Sequence, residues 1–296
     1  MARGARGRPV HGWLVLDKPA GVSSAAAVAR AKRALDAQKA GHAGTLDPAA
    51  TGLLAIAFGE ATKTVPFVAD AAKAYRFTVR WGAATATDDA EGAVLATTPA
   101  RPDAAAIRAA LPSFTGDILQ IPPQVSAVKV DGARAYALAR AGETLDLAAR
   151  PLHVARLELV DTPDPDTAVL EMTCGKGGYV RSIARDLGQR LGCLGYVLAL
   201  RRLWSGPFTL EGAVGWDDLE PPGPALLPVR AALGGLPELA CPPSSAPGLL
   251  NGNPVALPDA RLPEGAIAWA SLGDVPLAVG SWRGGALHPT RVFVLP

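Results

Sequence analysis

Cysteine is scarce. Cys174, Cys193 and Cys241 are odd in number and widely spaced, and no C-x-x-C occurs. That argues against a disulfide framework, and the four histidines (His11, His42, His153, His288) have no zinc-ligand spacing. The expectation is a metal-free, cofactor-free, cytoplasmic protein. Long apolar runs are also missing: none approaches the ~20 residues that span a bilayer. The arginines of "MARGARGRPVHG" are followed by no apolar segment, so this start is no secretory signal. Residues 1–10 read instead as a mobile basic tail. Nucleotide-binding loops are lacking too. "GKGG" at Gly175 to Gly178 stands outside the G-x-x-x-x-G-K-[ST] frame, and in "GLLAIAFGEATK" Glu60 follows Gly59 where that frame needs Lys.

Excess charge of one sign is absent, since the net charge is only +2. Its distribution is uneven. Met1 to Ala40 holds eight basic residues, among them Lys18 and Arg33, against Asp17 and Asp36. Met172 to Leu203 holds six (Lys176, Arg181, Arg185, Arg190, Arg201, Arg202) against Asp186 alone. Two such blocks fit either solvated helix faces or one face that meets a polyanion. Hydrophobic residues at 49% and charged residues at 19% exclude a disordered polyelectrolyte. The length allows one large domain and a small one.

Along the chain, "GWLVLDKPAGVSS" reads as a strand, Trp13 to Leu16, ended by Lys18-Pro19 and Gly21. Ser23 or Ser24 then caps a helix with Val28 and Leu35 on its apolar side. "AYRFTVRWG" has the two-residue period of a strand, with Tyr75, Phe77 and Val79 on one face. "DAAAIRAALPSF" reads as a helix. "QIPPQVSAVKVDGARAYALARAGE" is Pro-punctuated, then helical. "LHVARLELVD" and "AVLEMTCG" read as strands, and "YVRSIARDLGQRLG" as a helix closed by Gly192. After the Pro-rich "EPPGPALLP" and "CPPSSAPG", three short strands suggest an all-β module of about 55 residues that aids docking. Strict βαβ alternation is missing, so the expected class is α+β, with a mixed, mainly antiparallel sheet flanked by helices.

"GHAGTLDPAATG" (Gly41 to Gly52) carries a single acid, Asp47. Asp before Pro is a usual helix start, and "AATGLLAIAFG" could continue as that helix. Equally, Pro48 biases Asp47 toward an extended backbone that fixes the carboxylate's direction. Three glycines leave room for a ligand's close approach, and His42 and Lys63 bracket the acid.

The stretch Gly41 to Lys63 resembles the signature of the TruB-type tRNA pseudouridine synthases. So do "GWLVLDKPAGVSS", "KAYRFTVRWG", "IPPQVSAVKVDGARAYALARAG", and "CGKGGYVRSIARDLGQRLGC" followed by "LRRL", in order over roughly residues 11 to 205. The resemblance implies a pseudouridine-synthase domain over 11–235 with an insert at about 121–150, and a PUA-like RNA-binding module over 240–296. It makes Asp47 the catalytic aspartate, with Tyr75 against the target base and Arg181 paired with Asp47. Tyr179 and Leu200 line the uridine pocket, His42 enters the RNA loop, and Lys63 joins the substrate-binding set. Lys18 and Pro19 buttress the site. Lys18, Arg33, Lys129, Lys176, Arg201 and Arg202 are candidate contacts to the RNA backbone. The chain departs from the family's usual pattern at Ala86, Val125 and Gly178, while Asp89 is retained.

The implied reaction breaks N1–C1′ of a uridine, turns the base and rejoins it through C5, with no redox step. The implied substrate is the T-loop uridine at position 55 of tRNA, and the enzyme is expected to act as a monomer. A carboxylate suits attack at C1′ or C6, or a glycal-type route. A buried carboxylate tends to hold its proton, and an adjacent guanidinium reverses that tendency. The alternatives are a synthase acting on other RNA and a non-catalytic tRNA-binding folding factor.

Overall fold

A computed structural model describes residues 7–125, 129–130, 133–134, 147–257 and 261–295. The central element is a nine-stranded sheet with the main order β1-β3-β12-β4-β11-β10-β7. These strands are β1 (Gly12–Lys18), β3 (Thr51–Phe58), β4 (Lys73–Trp81), β7 (Gly116–Gln120), β10 (Arg150–Asp164), β11 (Thr167–Cys174) and β12 (Gly195–Ser205). Short β2 (Ala40–His42) pairs with β3, and β13 (Phe208–Thr209) with β12. Pairing is antiparallel except between β12 and β3, where Arg201 and Arg202 run parallel to Thr51 and Gly52. The expected mixed, mainly antiparallel class is what the chain adopts.

Sequence reading of Ala49 to Gly59 left a helix open; Thr51–Phe58 is instead strand β3. Leu53, Ala55 and Ala57 pack into one buried cluster, and Leu54, Ile56 and Phe58 into another on the opposite face. A strand buried on both faces has no polar alternation, so its pattern mimics an apolar helix. In β4 the alternation is explicit. Tyr75, Phe77, Val79 and Trp81 join a third cluster, while Arg76 and Arg80 point away to solvent.

Helix α1 (Ser24–Ala34) is capped by Ser23, whose Oγ accepts from the Ala26 amide at 3.2 Å. It buries Ala27, Ala31 and Ala34 against β1 and β3. Two further helices, α2 (Val65–Ala69) and α3 (Ala104–Ala110, capped by Asp103), precede α4 (Val180–Arg190), which packs on β12 and β4. Gly192, at φ +68°, follows the end of α4. The helix expected within the insert lies outside the described residues.

Two expectations need correction. The tail read as mobile is pinned from Arg8 onward: the Arg8 amide donates to Asp36 O at 2.6 Å, and Gln38 N donates to Arg8 O at 3.0 Å. The Pro-rich stretch read as a break folds back onto β1, where Trp13 and Leu227 exchange both backbone hydrogen bonds at 2.8 Å.

The C-terminal sheet has five strands, order β14-β16-β17-β18-β15, where sequence patterning suggested three. They are β14 (Glu238–Ala240), β15 (Val255–Ala256), β16 (Ile267–Leu272), β17 (Val275–Arg283) and β18 (Ala286–Val292). This sheet is packed onto the main body: Trp269, Val279 and Phe293 share a buried cluster with Trp13, Phe208 and Val229.

Candidate active site

The loop between β2 and β3 carries Asp47, and three separate devices fix it. Ser24 Oγ accepts from Leu46 N at 2.9 Å and donates to Leu46 O at 3.0 Å. On the other side, Lys18 Nζ donates to the carbonyls of Pro19 (2.8 Å), Val22 (2.8 Å) and Pro48 (3.1 Å). Ahead of the acid, Arg202 donates to Gly44 O at 3.2 Å and to Thr45 O at 3.4 Å. Asp47 caps no helix; it projects into a cavity of about 270 Å³.

Four walls enclose that cavity. Gly44 to Asp47 form one, Ala69, Lys73 and Tyr75 a second, Gly175 and Gly177 to Arg181 a third, and Leu200 and Arg202 the last. Asp47 is the only acid among these lining residues. Arg181 Nε stands 3.1 Å from Asp47 Oδ2. The same guanidinium reaches Asp89 Oδ2 at 3.5 Å, Thr87 O at 3.0 Å and Val125 O at 2.9 Å. Arg181 thus has a fixed direction, because planar donors are satisfied on several sides. Asp89 is itself anchored by the Thr87 hydroxyl and, at 3.0 Å, by the Glu91 amide.

Tyr179 opens α4. Its amide donates to Gln120 Oε1 at 2.9 Å and its carbonyl accepts from Gln120 Nε2 at 3.0 Å, so one side-chain amide holds this peptide at both ends. Tyr75 is 8% exposed; burial pushes its hydroxyl up from the usual value, and the charge of Arg202 opposes that rise. Lys73 Nζ donates to Ala69 O at 2.8 Å and Ala71 O at 2.7 Å. Burial, reinforced by Arg202, pushes Lys73 down to about 8. Burial likewise takes Lys18 down to about 8, against the pull of Asp47.

Of the residues singled out in the sequence, Asp47, Tyr75, Arg181, Tyr179, Leu200 and Arg202 meet in this cavity. Others do not. His42 lies on β2 outside the lining, with Nδ1 buried and unpartnered among the described residues; burial, then Arg202's charge, lower its basicity. Lys63 faces away, its ammonium held by Glu60 Oε2 at 2.6 Å and Val292 O at 2.7 Å. That geometry ties it to the C-terminal sheet, not to a ligand in the cavity.

The backbone-contact candidates divide. Arg33 is exposed on α1. Lys176 is exposed and pairs with Asp70 at 2.6 Å, and half-exposed Arg201 pairs with Asp17 at 2.7 Å. Lys18 and Arg202 are 0% and 1% exposed, with their donors committed to carbonyls, so neither presents its charge on a phosphate-facing surface. The backbone of Lys129 is in β8 (Lys129–Val130), which pairs with β9 (Ala133–Arg134); its side chain lies outside the described part.

Sequence reading missed Lys73 and Gln120 as site-builders, weighed Ser24 only as a helix cap, and named Asp89 as retained without giving it a role. Asp89 had a visible signal in its "TATDD" setting, whereas Gln120 acts across a separation of 59 residues and leaves none. Two departures acquire reasons. Val125 contributes its carbonyl, which any residue supplies. A Cβ at Gly178 would stand 2.5 Å from Cys174 Sγ, so glycine suits the neighbour present here.

A lone carboxylate at the mouth of a ring-sized cavity, backed by a guanidinium and flanked by two tyrosines, suits covalent or proton-transfer work on a flat polar ring. Comparison with known proteins agrees. Residues 32–180 match the N-terminal domain of the TruB family of pseudouridylate synthases, and residues 181–221 match the tRNA pseudouridylate synthase B C-terminal domain. A tRNA pseudouridine synthase B of Dinoroseobacter shibae is 60% identical, over 99% of this chain and 98% of the relative. One from Paracoccus denitrificans is 57% identical over the whole of both chains. Among solved structures, a chain of a Cbf5–Nop10–Gar1 complex superposes with a TM-score of 0.75 at 25% identity, covering 96% of this chain and 85% of that one. The chain belongs to the TruB family of pseudouridylate synthases.

Proposed function

We propose that the chain converts uridine to pseudouridine in tRNA, at the T-loop position 55, with Asp47 as the reacting carboxylate. The observation that carries this reading is the Asp47–Arg181 pair at 3.1 Å inside a cavity walled by Tyr75, Tyr179 and Leu200. The names of its relatives supply the reaction and the RNA class.

The chemistry follows from those groups. A uracil stacked in RNA is out of reach, so the nucleotide is everted, which costs a few kcal/mol and less in a loop than in a duplex. The cavity of about 270 Å³ holds one pyrimidine nucleoside, not a stacked pair. Tyr75, fixed in β4, offers its ring to the base, and Tyr179 closes the opposite side. Asp47 then acts at C1′ or C6, or assists loss of a ribose proton, while N1–C1′ breaks; the base turns, C5–C1′ forms, the C5 proton is lost and N1 takes up a proton, so the change is an isomerisation. Arg181 keeps the carboxylate aimed, and its own direction is set by Thr87, Asp89 and Val125.

On this reading the enzyme acts as a monomer, with Asp47, Arg181, Tyr75 and Tyr179 supplied by the one chain. Exposed Arg33 and Lys176 meet phosphate on the same reading, Lys176 by exchanging its partner Asp70, and the five-stranded C-terminal sheet serves as a PUA-like RNA contact. The experiment is a map of pseudouridines in tRNA incubated with the wild-type chain and with Asp47→Asn. New pseudouridine at position 55 from the wild type alone is the expected result. Product from both proteins removes Asp47 from its role; product at other positions only redirects the substrate.

A further inference from the structure

Arg202 is buried in the wall of the cavity, and among the described residues no carboxylate pairs with it. A buried guanidinium in that state is destabilising, so its location calls for a cause other than stability. The cause is visible in its partners. On β12 it stands directly across from Gly52 of β3 and from Tyr75 of β4. Its Nε donates to Leu53 O at 2.7 Å, and Nη1 and Nη2 reach Thr45 O and Gly44 O. Its charge also acts on the hydroxyl of Tyr75, its cross-strand neighbour. The other ionisable groups around this point are Lys18, Lys73, Cys174, His42 and Asp47.

We propose that Arg202 is a positioning residue for the isomerisation: one planar guanidinium, set on the strand directly across from Tyr75, holds the loop of Asp47 and the strand after it by three carbonyls and so fixes the acid in register with that tyrosine. This rests on the functional reading above. The fork geometry matters, because Leu53, Thr45 and Gly44 are met by three separate nitrogens of one plane, which a single ammonium does not provide. The carboxylate comes from the loop ahead of β3 and the aromatic ring from β4, and Arg202 on β12 bonds the backbone of the first while standing directly across from the second.

The test measures single-turnover pseudouridine formation and tRNA affinity for Arg202→Met, Arg202→Lys, Tyr75→Phe and the Arg202→Met/Tyr75→Phe double variant. Methionine fills comparable volume without charge, an exchange that buried sites usually survive. Folded Arg202→Met is expected to bind tRNA within about 3-fold of wild type while its rate falls about 100-fold. Arg202→Lys is expected to recover less than about 10-fold of that loss. The double variant should lose less than the product of the single losses, because the two groups act as a unit.

A folded Arg202→Met at the wild-type rate overturns the role. So does weakened binding with a salt slope shallower by about 0.7, the mark of a lost phosphate contact. Where the methionine variant does not fold, Arg202→Lys decides: a wild-type rate overturns the proposal, and a lowered rate at unchanged affinity supports it. A wild-type chain that forms no pseudouridine overturns the functional reading and this proposal with it, an outcome distinct from the failure of Arg202 alone.

Discussion

Arg181 is 8% exposed and Asp47, 3.1 Å away, is 39% exposed. The cation is embedded and the acid stands forward of it, so the pair presents its negative end to whatever enters the cavity. Ion pairs of this kind act through geometry more than through net stability, since the buried partner has already lost its hydration.

Replacing Arg181 by lysine keeps the charge and removes the planar fork. The link to Asp47 then competes with those to Asp89, Thr87 and Val125, which one ammonium cannot serve together. Single-turnover conversion is expected to drop by about 100-fold with tRNA affinity changed by less than about 3-fold. Wild-type turnover in this variant would show that direction is irrelevant and charge alone suffices.

The C-terminal sheet is expected to be needed for folding and not only for docking. Phe293 is 1% exposed in the cluster that contains Trp13 and Phe208. Phe293→Ala should lower unfolding free energy by about 3–5 kcal/mol in a urea titration. Truncation after residue 235 should abolish the cooperative transition, because it strips the cover from Val229, Leu233 and Trp13. A truncated chain with an unchanged midpoint contradicts this.

Lys73 supplies a pH signature. Its ammonium is pushed from 10.5 to about 8 by burial, with Arg202 adding to the effect. Below about pH 8 both folded and unfolded chains carry the charge, and the folded state bears the cost of burying it. Between there and about 10.5 the folded chain sheds the proton first, so stability rises with pH through that window. Measured against Lys73→Met, the wild type should gain up to about 3 kcal/mol between about pH 7 and about pH 10. A constant difference across that range argues that the folded lysine keeps its proton up to about pH 10, as a hydrated ammonium does.

Salt dependence separates exposed from buried cations. Arg33→Ala should reduce the slope of log affinity against log salt by about 0.7, whereas Lys18→Met should leave the slope unchanged. Equal slope changes at both positions would mean that Lys18 reaches phosphate despite its 0% exposure.

Legibility in the sequence followed locality. The strand of Tyr75, Phe77 and Val79 could be read because one of its faces is wet. Strand β3 could not, because both of its faces are dry and its alternation is between two cores. Ser23 as a cap and Gly192 as a helix end are short-range features and were visible. Lys18 and Arg202 look like any surface cations in "LDKPAG" and "LRRL"; their burial depends on carbonyls supplied by Pro48, Gly44 and Thr45, which only the folded chain brings near. The motif around Asp47 indicated the acid, while the neighbours that hold it came from four other segments.

The nine-stranded sheet has one parallel joint, two residue pairs long, where β12 meets β3. Asp47 hangs from the β3 side of that joint, and Tyr75 belongs to the β4 side. At Gly52, φ is +93° and an added Cβ would fall 2.3 Å from the Arg202 carbonyl. The joint therefore tolerates no wedge. Any breathing of the molecule that cracks it open draws the acid away from the aromatic ring, so on the proposed function catalysis requires this seam to stay shut.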